Sequence, residues 1–169
     1  MKVFLDASVL VRLSLKSDST GALVALPVLG APVELVSSAY ALQEALQTMS
    51  DAEWPPKAAI ATVGVLAHMF TMCKLRLRLD LPTVAEVMAL QGQCNDKDDL
   101  PILADALAEH CDVLLTTDTG LLRSTAGILC QTPEAWVESV KTHPEIAAAV
   151  EQAVRPLRPL ISQPPTPQP

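Results

Sequence analysis

Closely paired cysteines are absent from this chain. Cys73, Cys94, Cys111 and Cys130 form no CxxC pair, and His68, His110 and His143 complete no zinc spacing. A local zinc knuckle or redox pair is therefore excluded, and the thiols read as free cysteines of a reducing cytoplasm. Positive charge is also scarce: 12 Lys and Arg stand against 19 Asp and Glu, a formal net charge of −7. Proteins that grip duplex nucleic acid through its phosphates are usually basic, so this balance argues against non-specific duplex binding. It leaves a nuclease open, because acids gathered around Mg²⁺ enter the sum while the bound ion does not. Long apolar runs are missing as well. The nearest, Ala58 to Cys73, has 16 residues between Lys57 and Lys74 and contains Thr62, Gly64, His68 and Thr71. A membrane span needs ~20 apolar residues, so this reads as a buried or subunit-interface helix of a protein without a membrane segment. Its apolar face also offers a surface for a homodimer. Acidic Asp6 interrupts the first apolar run, so no leader is expected. There are no internal repeats.

What remains is 169 residues, half of them apolar, enough for one domain with a proper core. Short apolar runs alternate with helical periods: VFL before Asp6, ELV around 33–36, VLLT at 113–116, and 127–130. That alternation predicts an α/β fold with a parallel sheet. Between the runs, helices are expected from Ala7, from about Ala39 to Met49, from Lys57 to about Leu75, from Val84 to Leu90, from Leu100 to Glu109, from Thr132 to about Lys141 and over Pro144–Val154. Trp54–Pro56 ends the second of these, and Gly92 stops the fourth. Thr132-Pro133-Glu134 combines a capping hydroxyl, Pro at the first helical position and an acid in the first turn. On 39–49 the spacing assigns the buried face to Leu42, Ala45, Leu46 and Met49. Asp105 reads as a surface acid. Lys74, Arg76 and Arg78, on a strand-like alternation, form the one basic cluster, either a phosphate contact or a solvated edge. The proline-rich end, SQPPTPQP, predicts a disordered tail. The division is a domain over 1–141, a C-terminal helix over 142–154 and the tail over 155–169.

The stretch DLPILADALAEHCDVLLTTD is the centre of the chain. A carboxylate, Asp99, opens a helix, and another, Asp118, follows the next strand. In open parallel sheets the carboxyl ends of strands and the following helix N-termini share one rim, where ligands bind. Asp6, after the first strand, and Glu44, on the helix after the second, can reach the same rim. Each alone is ordinary: Asp6 could be only a helix N-cap, and Glu44, about 100° from Ala45 on a helical wheel, only a solvated acid. Together they are not ordinary, since like charges gathered at one place are costly without a cation. Mg²⁺ or Mn²⁺ takes oxygen ligands, which suits carboxylates without His or Cys. A carboxylate-held cation that lowers the pKa of water and steadies phosphoryl charge is the logic of a metal-dependent nuclease. The run Asp96-Lys97-Asp98-Asp99 is either a solvated loop or neutralised by that cation.

The pieces VFLDASVLV, SSAYALQEAL, CNDKDDLPILADALAEHCDVLLTTDTGLL and ILCQTPEAWVESV resemble the PIN-domain ribonucleases over residues 1–140. The last two look most like the bacterial PIN-family toxins of toxin–antitoxin pairs. The resemblance implies a Rossmann-like three-layer α/β/α domain and an acidic Mg²⁺/Mn²⁺ site that cleaves RNA. It carries over to Asp6, Glu44, Asp99 and Asp118 as metal-binding acids, with Asp96 or Asp98 assisting. It places Thr116 or Thr117 where a water or ligand is oriented. It also implies an antitoxin that covers the acidic rim. The third acid is ambiguous between Asp98 and Asp99; Asp99 is preferred because it lies three residues before the first buried helix position, Ile102. Thr117 stands where relatives often have Gly or Arg. An aspartyl-phosphate phosphatase would need Asp where Ser8 stands, and a receiver domain would order its acids differently. The alternative is a PIN-fold binding or scaffold protein without strong catalysis.

Overall fold

A computed structural model describes residues 1–14, 23, 26–27, 30–51, 64, 67–71 and 74–154, with backbone alone at 150, 153 and 154. Strand β1 (Lys2–Leu5) is its axis. Val3, Phe4 and Leu5 are all fully buried. A strand with parallel neighbours on both sides and helices on both faces needs apolar side chains in both directions, and VFL supplies them. Strand β2 (Glu34–Ser38) lies on one side, with Phe4 opposite Val36, and β4 (Val113–Leu115) on the other, with Phe4 opposite Leu114. Strands β3 (Arg76–Arg78) and β5 (Leu129–Gln131) close the edges. The order is β3-β2-β1-β4-β5, all parallel, the central sheet of the expected α/β/α architecture. The chain moves outward from β1 to β3 and then returns to β4 on β1's other side. The strand order therefore reverses between β1 and β4, where such sheets leave a crevice at their carboxyl ends.

The helices are α1 (Ala7–Ser14), α2 (Ala39–Asp51), α3 (Val84–Ala89), α4 (Leu100–Ala108), α5 (Pro133–Val140) and α6 (Pro144–Val154). Their starts follow local chemistry. Ser38 Oγ accepts from the Ala41 amide at 3.2 Å, Thr83 and Glu86 form a reciprocal capping box, and Thr132 Oγ1 accepts from Ala135 N at 3.2 Å with Pro133 behind it. Helix α4 ends at a left-handed residue, His110, with φ +53°, and the Cys111 amide reaches back to Ala106 O at 3.1 Å. That closure turns the chain straight into β4. Ile146 and Ala149 of α6 join the same core as Phe4, Ile102, Leu103 and Trp136.

Three expectations are corrected. Leu46 is 44% exposed, while Ala41 is fully buried with Ala45 and Met49. The true face is turned toward Ala41, with Leu42 only partly buried, because the neighbouring elements rather than the spacing decide which side is covered. Asp105 is fully buried rather than on the surface, its Oδ1 accepting from Arg78 Nε at 3.0 Å. The basic cluster is a solvated edge only in part: Arg76 is exposed on the edge strand but pairs with Glu34 and Glu109, and Arg78 is half-buried against Asp105 and Glu109. Trp54–Pro56, the tail over 155–169 and most of the helix expected over 57–75 lie outside the described residues; 64 and 67–71 within that helix are helical. Among the described residues no helix is long and apolar enough to cross a membrane.

Candidate metal centre

Asp6 follows β1 directly, and its backbone amide continues the β4 ladder by donating to Leu115 O at 3.0 Å. Its carboxylate is buried, 3% exposed, and held from several sides. Oδ1 accepts from Ala7 N at 2.6 Å, while Oδ2 accepts from Ser8 Oγ at 2.6 Å and from Thr116 Oγ1 at 2.7 Å. Both readings of Asp6 therefore coexist: it caps α1 and also faces the rim. Every donor to it is neutral. Burial raises its pKa, and the Ser8 and Thr116 hydroxyls and the Ala7 and Ser8 amides oppose that rise.

Thr116, fully buried, is the hinge of the arrangement. Its hydroxyl donates to Asp6 and accepts from the Asp118 amide at 2.9 Å. Ser8 makes the matching link, accepting from Thr117 N at 3.0 Å. Two hydroxyls thus lock the ends of β1 and β4 together. Thr116 thus bonds one acid through its carboxylate and the other through its backbone amide.

Asp118 opens a turn in which Oδ1 accepts from Gly120 N at 2.6 Å and Leu121 N at 3.1 Å. Asp99 stands at the N-cap position of α4, yet its side chain makes no capping hydrogen bond. Its carboxylate turns toward Asp118. A Cβ placed on Gly120 would meet Asp118 Oδ1 at 2.9 Å and Asp99 Oδ2 at 3.2 Å, so both carboxylates converge on one small space that only glycine leaves open. Burial first, then the charges of Asp118, Asp6, Asp96 and Glu44, push Asp99 up to about 7. Glu44, one turn along α2 from Tyr40, is solvent-exposed, but partial desolvation and the charges of Asp6 and Asp118 raise its pKa too. Asp98 is exposed, its amide turned back on Asp96 Oδ1 at 3.0 Å. Of the ambiguous pair, Asp99 is the one that faces Asp118.

The sequence reading did not single out Gly120, Tyr40 or Cys94. Tyr40 lies four residues before Glu44, hence on the same helix face, and its hydroxyl donates to Asp98 O at 3.3 Å. The Cys94 thiol lies 3.9 Å from Asp99 Oδ2. Spacing to a known acid was the available signal in each case.

Among the described residues no three His, Cys, Asp or Glu groups are already drawn to one metal-ligand point. Asp99 and Asp118, converging at Gly120, come nearest. The donors of this rim are carboxylate oxygens with one thiol beside them, which fits a hard divalent cation such as Mg²⁺ or Mn²⁺.

The family model described as "PIN domain" matches residues 2–120. Two solved structures share the fold. One is VapBC2 from Rickettsia felis bound to a DNA fragment from their promoter, with a TM-score of 0.58 and 17% identity, covering 78% of this chain and 98% of that one. The other is PAE2754 from Pyrobaculum aerophilum, with a TM-score of 0.57 and 18% identity, covering 85% of this chain and 97% of that one. No curated protein matches the sequence.

Proposed function

Because the chain belongs to the PIN-domain family, we propose that it is a Mg²⁺- or Mn²⁺-dependent ribonuclease whose metal is held by Asp6, Glu44, Asp99 and Asp118. The observation that carries this reading is the convergence of Asp99 and Asp118 on Gly120, at the point where the strand order reverses. A bound divalent ion would lower the pKa of water and neutralise charge developing on a phosphodiester. The chain's own residues supply the rest. Thr116 and Ser8 hold Asp6 and the start of the 117–120 turn in fixed relation, which sets Asp6 and Asp118 relative to each other. Gly120 keeps the space between Asp99 and Asp118 clear. Asp99, with its pKa raised to about 7, would release its proton to water as a cation takes its place at neutral pH.

The product pattern of this reading is 5′-phosphate and 3′-hydroxyl ends. As part of it, the chain acts as the toxin of a toxin–antitoxin pair, and a small antitoxin covers the acidic rim. The likeness in fold to VapBC2 supports that assignment. The test is cleavage of a mixed RNA pool with Mn²⁺, comparing wild type with Asp6→Asn and Asp118→Asn. Metal-dependent cutting that both variants lose is expected. An inert wild type that takes up no Mn²⁺ by calorimetry sinks the ribonuclease and leaves a binding or scaffold role.

A further inference from the structure

The acidic rim sets a problem for its own substrate. Asp6, Glu44, Asp96, Asp98, Asp99 and Asp118 all lie on or beside it, and a nucleic-acid strand brings a negative charge with every nucleotide. A cation at the centre meets one phosphate. The neighbouring phosphates still face carboxylates, so the rim needs a positive group of its own to seat the strand.

The arginines among the described residues divide cleanly. Arg12 pairs with Glu134 at 2.6 Å, Arg76 with Glu34 and Glu109, and Arg78 with Asp105 and Glu109. Arg123 makes no ion pair among the described residues. It is exposed and sits at the end of the 3₁₀ turn Leu121–Arg123, directly after the loop that carries Asp118. With Asn95, Asp96, Asp118, Thr119 and Gly120 it lines an open depression of about 390 Å³ against the acidic centre. Two carboxylates share that depression, yet neither takes the guanidinium. The Leu122 and Arg123 amides are spent on the turn, donating to Asp118 O and Gly120 O at 3.1 and 3.2 Å, which fixes where the side chain starts.

The geometry points to this depression as a phosphate subsite, in which Arg123 receives a non-scissile phosphodiester of the RNA strand one step from the metal centre, with Asn95 and Thr119 as neutral donors beside it. The inference rests on the ribonuclease reading. Guanidinium suits the task because its planar fork bonds two phosphate oxygens at once.

The experiment uses a fluorescein-labelled single-stranded RNA with Mn²⁺, at several KCl concentrations, on wild type, Arg123→Gln and Arg123→Lys. If wild type cuts, the readout is KM and kcat. Arg123→Gln is expected to raise KM about ten-fold with kcat within about two-fold. The slope of log(kcat/KM) against log[KCl] should flatten by about 0.7, the share of one phosphate contact on a single strand. Arg123→Lys should keep the slope and recover most of KM. If wild type cuts and Arg123→Gln matches it in KM and slope, the subsite is wrong and the ribonuclease stands. If wild type does not cut, the ribonuclease reading fails on its own, and the same slopes from fluorescence anisotropy decide the subsite. A wild type that binds no RNA overturns the subsite as well.

Discussion

Carboxylates gather in two regions of this sheet and meet opposite fates. Along the β3 edge, Glu34, Asp105 and Glu109 are each matched by an arginine, and Lys2 stands 3.7 Å from Glu109. Arg76 holds the Glu109 carboxyl below its ordinary pKa. At the β1–β4 switch, Asp6, Glu44, Asp99 and Asp118 have neutral donors only, or none, among the described residues, and burial with mutual repulsion lifts Asp99 to about 7. Two arginines, Arg76 and Arg78, both serve the edge. Under the proposed metal-dependent function, the difference separates acids that hold the fold together from acids left for a divalent cation to neutralise.

The comparison breaks most visibly at Arg78. Arg78→Met would leave Asp105 fully buried with only Ser38 beside it and with Oδ2 already unpartnered. Removing one member of a buried pair typically costs about 3–5 kcal/mol, and Arg78 is partly solvated, so about 3 kcal/mol is expected in urea unfolding. Combining it with Asp105→Asn should restore more than half of that loss. Failure of the double variant to recover would mean that Arg78 stabilises through its packing, not through the charge.

Thr116→Val tests the other region. The change is nearly isosteric but removes the donor to Asp6 and the acceptor for the Asp118 amide. A stability loss of about 1–2 kcal/mol is expected for two buried hydrogen bonds. Cleavage should fall ten- to a hundred-fold, as when an outer partner of a metal ligand is lost. Thr116→Ser should keep both. Loss of stability with unchanged cleavage would show that the lock serves only the fold.

Much of the fold could be read from residue order. VFL and VLL are buried on both faces, as a central parallel strand requires, and their alternation with helical periods pointed to that arrangement. Thr132-Pro133-Glu134 announced α5 because its capping chemistry is local. Asp105 was not legible. On a helical wheel a lone acid looks solvated, and the Arg78 that neutralises it comes from a strand 27 residues earlier. Nor was the buried face of α2, because 41/45/49 and 42/45/46/49 are both helical spacings, and only the neighbouring elements decide which one is covered. At the rim, the acids were legible as types and positions. Their mutual approach at Gly120 was not, because it depends on a turn that Asp118 builds from its own side chain.

A smaller contrast comes from replacing one carboxyl by its amide in each region and following stability against pH without metal. At the edge, Glu109 has a lowered folded pKa. Its contribution is present above the unfolded value near 4.5 and is lost as pH falls through the folded one. Glu109→Gln should therefore cost about 1 kcal/mol at pH 7 and progressively less as pH falls below the unfolded value. At the switch the sign reverses. Asp99 has a folded pKa raised from 3.8 to about 7, so the folded state binds its proton more tightly than the unfolded chain does. The stability tied to that proton is complete below about pH 4 and is lost as pH rises through 7. Asp99→Asn removes the loss, so the metal-free variant should be more stable than wild type at pH 8 and closely similar at pH 4. The carboxyl is partly solvated, which limits the gain to about 1 kcal/mol. Mn²⁺ should raise the wild-type Tm at pH 8 and move the variant much less. Urea unfolding at the two pH values, with and without Mn²⁺, reads all four cases. A variant less stable than wild type at pH 8 would place Asp99 with the acids that hold the fold, and the division between the two regions would fall.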